Sequence, residues 1–164
     1  MPALAGLLGA ALAVTMIAIA VIDARRSIIP DKLVLTALAL GCVDAWMVQS
    51  DASNFAALFT AALRGLGLAI AFWLLRAAYL RLRGQEGIGL GDVKLAAVAG
   101  VWLDLLAISL AVEIAALAAL TVMLIRALRG RRVTGKTPVP FGLFFAPAIW
   151  IAWLLERSIF AAVF

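Results

Sequence analysis

Residues 3–22 read Ala-Leu-Ala-Gly-Leu-Leu-Gly-Ala-Ala-Leu-Ala-Val-Thr-Met-Ile-Ala-Ile-Ala-Val-Ile, with no charge anywhere in the run. A helix of this length rises about 30 Å, the thickness of a bilayer's hydrocarbon core. The run lacks the basic flank that opens a secretory signal and is longer than such a signal's apolar stretch. It is therefore expected to stay in place as a first membrane helix.

Five further spans follow it. They run from about Leu33 to Val48, Phe55 to Leu80, Val93 to Leu103, Leu105 to Ile125 and Phe141 to about Phe160. The expected fold is all-α: a polytopic membrane helix bundle of about six transmembrane helices, with residues 1–164 as a single transmembrane domain. Composition agrees, because 66% of residues are hydrophobic and only 14% charged. Soluble domains carry about 45–50% apolar and about 25% charged residues.

The net charge of +5 does not point to nucleic acid, because the basic residues fall in short clusters between spans. Arg25, Arg26 and Lys32 follow the first span. Arg81 and Arg83 follow the third, with Lys94 beyond. Arg126, Arg129, Arg131, Arg132 and Lys136 follow the fifth. The alternate connections hold Asp51 and Asp104 and no Lys or Arg. Lys and Arg are retained on the cytoplasmic side during insertion, so the basic loops are expected there and both termini on the other side.

Two absences exclude classes of chemistry. Without histidine there is no Ser-His or Cys-His nucleophile and none of the commonest zinc sites. The single cysteine, Cys42, has no disulfide partner within the chain and reads as a small core hydrophobe. The tryptophans, among them Trp46, Trp102 and Trp150, suit interfacial belts. Gly65 and Gly67 suit close helix packing.

Three segments on the expected cytoplasmic side carry more than a connector needs. Asp23 to Asp31 reads Asp-Ala-Arg-Arg-Ser-Ile-Ile-Pro-Asp. Glu86 to Lys94 reads Glu-Gly-Ile-Gly-Leu-Gly-Asp-Val-Lys. Pro138 to Gly142 reads Pro-Val-Pro-Phe-Gly. The glycines of the second segment follow no strand, so they form no dinucleotide loop. Taken singly, each acid has an ordinary explanation: Asp92 caps a helix, and Asp23 pairs with Arg25 or Arg26. Lys94 reads equally as a snorkelling interfacial lysine, and Glu86 as a loop charge. Together they differ. The fourth span is short, so Asp92 would lie below the membrane edge, where an ionisable group is costly and usually functional. Two such carboxylates brought close would share a proton, as an acid/base pair requires.

In order and spacing these residues resemble the type IV prepilin peptidases and their archaeal preflagellin relatives, membrane aspartyl proteases of the GxGD type. The resemblance rests on Asp23 followed by Ile29-Pro30, on Gly89-Leu90-Gly91-Asp92-Val93-Lys94, and on Pro140-Phe141-Gly142. It implies Asp23 and Asp92 as the catalytic pair, with Gly89, Gly91, Lys94, Pro30, Pro140, Phe141 and Gly142 in support. The chain departs from such families at Asp31, where they usually carry Asn, although Asp31 can still cap a helix. It also lacks the cysteine-bearing insert of longer members. The resemblance is thus to short, peptidase-only forms, including those serving tight-adherence pili, with no metal, no cofactor and no methyl transfer. The implied partners are prepilin or pseudopilin substrates and the lipid bilayer, and the implied location is the bacterial inner membrane.

Other readings stay open on the residues alone. Asp23, Asp92 and Glu113 could form the proton relay of a small transporter, and the chain could be a silent scaffold for pilus assembly. A Ser27–Lys32 nucleophile lacks the desolvated setting that would activate the lysine. Finally, Arg64 and Glu113 lie at matched depth in their spans, which predicts an ion pair between them.

Overall fold

The computed structural model describes residues 2–48, 54–84, 87–130 and 140–163, with no strand among them. Six helices follow one another: α1 (Pro2–Arg26), α2 (Asp31–Val48), α3 (Asn54–Arg83), α4 (Leu90–Trp102), α5 (Leu105–Leu128) and α6 (Phe141–Val163). The six spans expected from sequence thus appear as six helices. Four contain stretches long and apolar enough to cross a bilayer unaided: Leu4–Arg26, Asn54–Arg83, Leu105–Leu128 and Phe141–Ser158. At 13 residues, α4 rises only about 20 Å.

The exterior is apolar. Leu7, Val14 and Ile17 of α1, Phe59, Leu66 and Trp73 of α3, and Leu106, Leu117 and Leu120 of α5 all point outward. Apolar surface on this scale is stable only against lipid. The interior is built round α4, which packs against α2, α3, α5 and α6. Its Leu95 and Val98 meet a core supplied by Leu12, Met16 and Ile19 of α1 and by Phe145 and Ile149 of α6.

Lipid removes the hydrophobic drive between helices, so close backbone approach does much of the packing. A Cβ on Gly100 would lie 2.6 Å from the Arg64 carbonyl oxygen and 2.7 Å from the Gly65 Cα, so α3 and α4 cross glycine to glycine. Gly67, also expected to serve packing, meets nothing within 4 Å. Indole hydrogen bonds add two ties. Trp102 Nε1 donates to the Ala37 carbonyl at 2.8 Å, and Trp150 Nε1 donates to that of Gly9 at 3.1 Å. Trp102 departs from the belt expected of the tryptophans, being buried at the α2–α4 contact, while Trp46 is exposed. Cys42 is half-buried.

Charges gather at the end of the bundle where α4 stops. Arg64 of α3 pairs with Asp104, just ahead of α5, and its Nε donates to the Gly100 carbonyl at 3.3 Å. Arg157 of α6 pairs with buried Asp44 of α2 at 2.6 Å and lies over the Trp153 ring. The expected Arg64–Glu113 pair does not form. α5 packs on α6 and α4 and makes no contact with α3, so matched depth is not matched direction, and Glu113 is exposed.

The glycine crossing sets a test. Gly100→Ala forces a methyl into α3 backbone that cannot rotate away, and should cost about 1–3 kcal/mol. Gly67→Ala should stay within about 0.5 kcal/mol of the parent. Thermal unfolding of the two variants in detergent checks this; equal midpoints would contradict the packing.

Candidate active site

Three helix ends meet at the other end of the bundle. The first is the C-terminal turn of α1, which carries Asp23. A carboxylate there faces its own helix's unpaired carbonyls, an unfavourable placement. The partners come from α6: the Leu143 N–H donates to Asp23 Oδ2 at 2.9 Å, with the Gly142 amide alongside. The free amides of a helix N-terminus thus solvate a side chain that is only 5% exposed.

The second is the start of α4. Gly89 is its N-cap and Asp92 stands in its first turn, ahead of the apolar run from Val93. The Gly89 N–H donates to Asp92 Oδ2 at 3.2 Å, so Asp92 does cap its helix, and with one oxygen only. Burial pushes the Asp92 carboxyl up to about 6; the nearby charge of Asp23 adds to the rise, and the Gly89 hydrogen bond opposes it. The two acids that the sequence singles out are therefore electrostatic neighbours.

The third is the start of α6, where the Pro140 carbonyl accepts from the Leu143 N–H at 3.2 Å. Gly142 is buried against Asp23: a Cβ there would lie 2.8 Å from Asp23 Oδ2. Phe141 turns inward instead, its ring 5.3 Å from that of Phe145. Pro30 stands just ahead of α2, its carbonyl accepting from the Leu33 and Val34 amides.

Other expected residues have different partners. Lys94 pairs with Asp31, linking α4 to α2 rather than reaching either catalytic candidate. Asp31 lies inside the first turn of α2, so its carboxylate serves this pair and the cap expected of it falls to Pro30. Both side chains are well exposed, and such a pair contributes under about 1 kcal/mol. Glu86, Pro138, Arg131, Arg132 and Lys136 lie outside the described residues.

Sequence reading missed three neighbours of the site. Arg76 Nε of α3 donates to the Ile88 carbonyl at 3.0 Å, holding the glycine run. The Tyr79 ring lies 2.5 Å from where a Cβ on Gly87 would stand. Ile29 is buried between α4 and α6. Arg76 left a sequence signal, as a cation inside an apolar run one helical turn before the basic cluster, and Ile29 left one as half of the Ile29-Pro30 pair.

Fold and site together define a polytopic helical membrane protein with two carboxylates, from separate helices, near enough at one end of its bundle for the charge of one to act on the other. The model of the type IV leader peptidase family matches residues 10–124, a range that includes both Asp23 and Asp92, and the chain belongs to that family. It is 38% identical over 150 residues, 88% of its length, to the prepilin leader peptidase/N-methyltransferase of Burkholderia pseudomallei strain 1026b, covering 46% of that protein. Against the Pseudomonas aeruginosa protein of the same name it is 38% identical over 139 residues, 85% of the chain and 46% of the relative. For the Neisseria gonorrhoeae protein the figures are 29% over 156 residues, 94% and 51%. The chain spans about half the length of the curated relatives it matches. No solved structure matches it.

The burial of Asp92 gives a prediction independent of any activity. Infrared titration in detergent should find a carboxyl that is protonated below about pH 6 and charged above it. Asp92→Asn should remove that transition. Its persistence would assign the proton to another group.

Proposed function

We propose that residues 1–164 act as one membrane aspartic endopeptidase that removes the leader from prepilin or pseudopilin substrates. The site would work at the cytoplasmic edge of a bacterial inner membrane. The observation that carries this reading is the proximity of Asp23 and Asp92, brought from α1 and α4 so that one charge raises the other's proton affinity.

Below about pH 6 such a pair holds one proton. Asp23, solvated by the α6 amides, takes the role of the charged base and Asp92 that of the acid. Asp23 takes a proton from water as the water oxygen adds to the scissile carbonyl carbon. Asp92 gives its proton to the carbonyl oxygen. Collapse of the tetrahedral adduct breaks the C–N bond as Asp23 passes its proton to the leaving amine and Asp92 takes one back from an adduct hydroxyl. Gly89, Gly91 and Gly142 leave room beside the carboxylates, and Pro30, Pro140, Phe141 and Lys94 hold the helix ends that carry them.

The basic residues Arg25, Arg26, Arg81 and Arg83 lie at this end of the bundle, which supports a cytoplasmic placement. A substrate with a basic leader and an apolar stem would arrive on the same side. A transporter relay has less support, because Glu113 is exposed on α5, while Asp44 and Asp104 are held by Arg157 and Arg64.

The test is incubation of purified protein with a prepilin, followed by mass spectrometry of the products. Asp23→Asn and Asp92→Asn should each reduce cleavage at least about a thousandfold. The double variant should be no worse than either single one, since the pair acts as a unit. Asp44→Asn, at the opposite end, should keep cleaving. Robust cleavage by either dyad variant would overturn the assignment.

A second expectation concerns metals. Two carboxylates and a water complete the reaction without a Lewis acid, so cleavage should survive a strong chelator. Loss on chelation with recovery on adding zinc would contradict the proposal.

A further inference from the structure

Between α1 and α2 the chain turns through Ser27, whose φ of 51° is left-handed and unusual for a residue with a side chain. Ile28 then points outward, 61% exposed, while Ile29 points inward and is 8% exposed. Pro30 follows and restricts Ile29 to extended backbone. A strained turn, a buried side chain and a stiff residue thus act in sequence to place one isoleucine.

Its surroundings are unusually specific. Ile29 Cδ1 lies 2.8 Å from where a Cβ on Gly91 would stand and 2.9 Å from where one on Gly142 would stand. Gly91 precedes Asp92 in α4. Gly142 belongs to the α6 N-terminus that holds Asp23, and its absent Cβ would also meet Asp23 Oδ2 at 2.8 Å. One side chain therefore fills the gap between the two helix starts that carry the acid pair. The glycines are the matching sockets.

We infer that Ile29 is a positioning residue, a spacer that sets the separation of the Asp23 and Asp92 carboxyl groups; this rests on the peptidase reading above. It does not itself touch the reacting atoms. It acts by keeping the first turns of α4 and α6 apart by the width of its own branch. Proton sharing depends steeply on that separation, because like charges in a desolvated site couple strongly at short range. Attack geometry depends on it too, and a misplacement of about 1 Å can cost about 100-fold in rate.

The sockets differ in a way that makes the inference testable. The three atoms nearest to a methyl at Gly91 would all belong to Ile29: Cδ1 at 2.8 Å, Cγ1 at 2.9 Å and Cβ at 3.1 Å. Rotating the side chain does not clear its stem, so Gly91→Ala should lose activity. Ile29→Ala removes every one of these atoms but Cβ and should restore cleavage to Gly91→Ala. A methyl at Gly142 would meet Asp23 Oδ2 as well as Ile29, so Ile29→Ala should fail to rescue Gly142→Ala.

The experiment measures prepilin cleavage for the parent, the three single variants and the two doubles, with thermal midpoints to confirm folding. Ile29→Ala alone should lower kcat by about 10- to 100-fold with KM little changed. Rescue at position 91 but not at 142 supports the spacer. No rescue at 91 while the parent cleaves overturns it, and leaves the peptidase reading intact. An unchanged kcat in folded Ile29→Ala also overturns it. Infrared titration of the Asp92 carboxyl supplies a readout that needs no activity. Ile29→Ala should move its midpoint by about 0.5 pH unit or more, while Leu7→Ala on the outer face of α1 should not. An unmoved midpoint in Ile29→Ala counts against the spacer whether or not the protein cleaves prepilin.

Discussion

The register of one short helix against one long one controls where the acid pair lies. α4 is pinned to α3 at two heights: Gly100 lies against Gly65, and the Ile88 carbonyl, just ahead of α4, accepts from Arg76. α3 runs on from Arg76 to Arg83, about 10 Å further. Asp92 is consequently set back from the end of its long neighbour rather than presented at the surface. A carboxylate in such a recess loses water on most sides, which raises its proton affinity before any neighbouring charge is considered. Had α4 been a full-length span, Asp92 would have stood in bulk solvent.

The same shortfall at the other end of α4 explains the charges found there. Arg64 lies well inside α3, where an isolated guanidinium would be expensive. The break between α4 and α5 at Leu103 and Asp104 opens at that height, and Asp104 supplies the counter-ion. The free N–H of Asp104 goes to Glu156 of α6 at 3.2 Å. Asp44, buried on α2, takes Arg157 from α6. α2, α3, α6 and the α4–α5 junction are thereby joined by charged groups around the end of the bundle away from the acid pair.

Much of this was legible in the sequence, and the part that was not has one physical cause. Six helices could be read from long apolar runs, because a bilayer fixes the length of such runs. Asp23 and Asp92 could be singled out because acids at the ends of apolar spans carry a cost. Rotation about the helix axis could not be read. In a soluble protein, polar residues mark the outer face; here lipid and core are both apolar, so Gly65 and Gly67 look alike although only Gly65 meets a neighbour. The Arg64–Glu113 pairing failed for that reason, with depth right and direction wrong. Trp102 was misplaced likewise, since a tryptophan near a span's end can face the interface or a neighbouring carbonyl. Ile29 could be read only as half of the Ile29-Pro30 pair, with nothing to say that its side chain turns inward.

The two acids occupy opposite electrostatic ends of their own helices, and this asymmetry bears on their roles. Asp92 lies at a helix N-terminus, where the backbone favours negative charge, yet it has one amide partner and a low-dielectric setting. Asp23 lies at a helix C-terminus, where the backbone opposes its charge, and α6 must bring its own N-terminal amides to compensate. The compensation comes from a helix at the far end of the chain, 120 residues away in sequence. The setting of the acid pair therefore depends on the docking of α6 as much as on α1 and α4. Gly142 marks the point of contact: with no side chain of its own, it lets the first turn of α6 approach Asp23 closely enough for the Leu143 amide to reach Oδ2. Any larger residue there would push the turn away and leave Asp23 facing only the carbonyls of its own helix. Asp23 would then lose the amides that offset its charge.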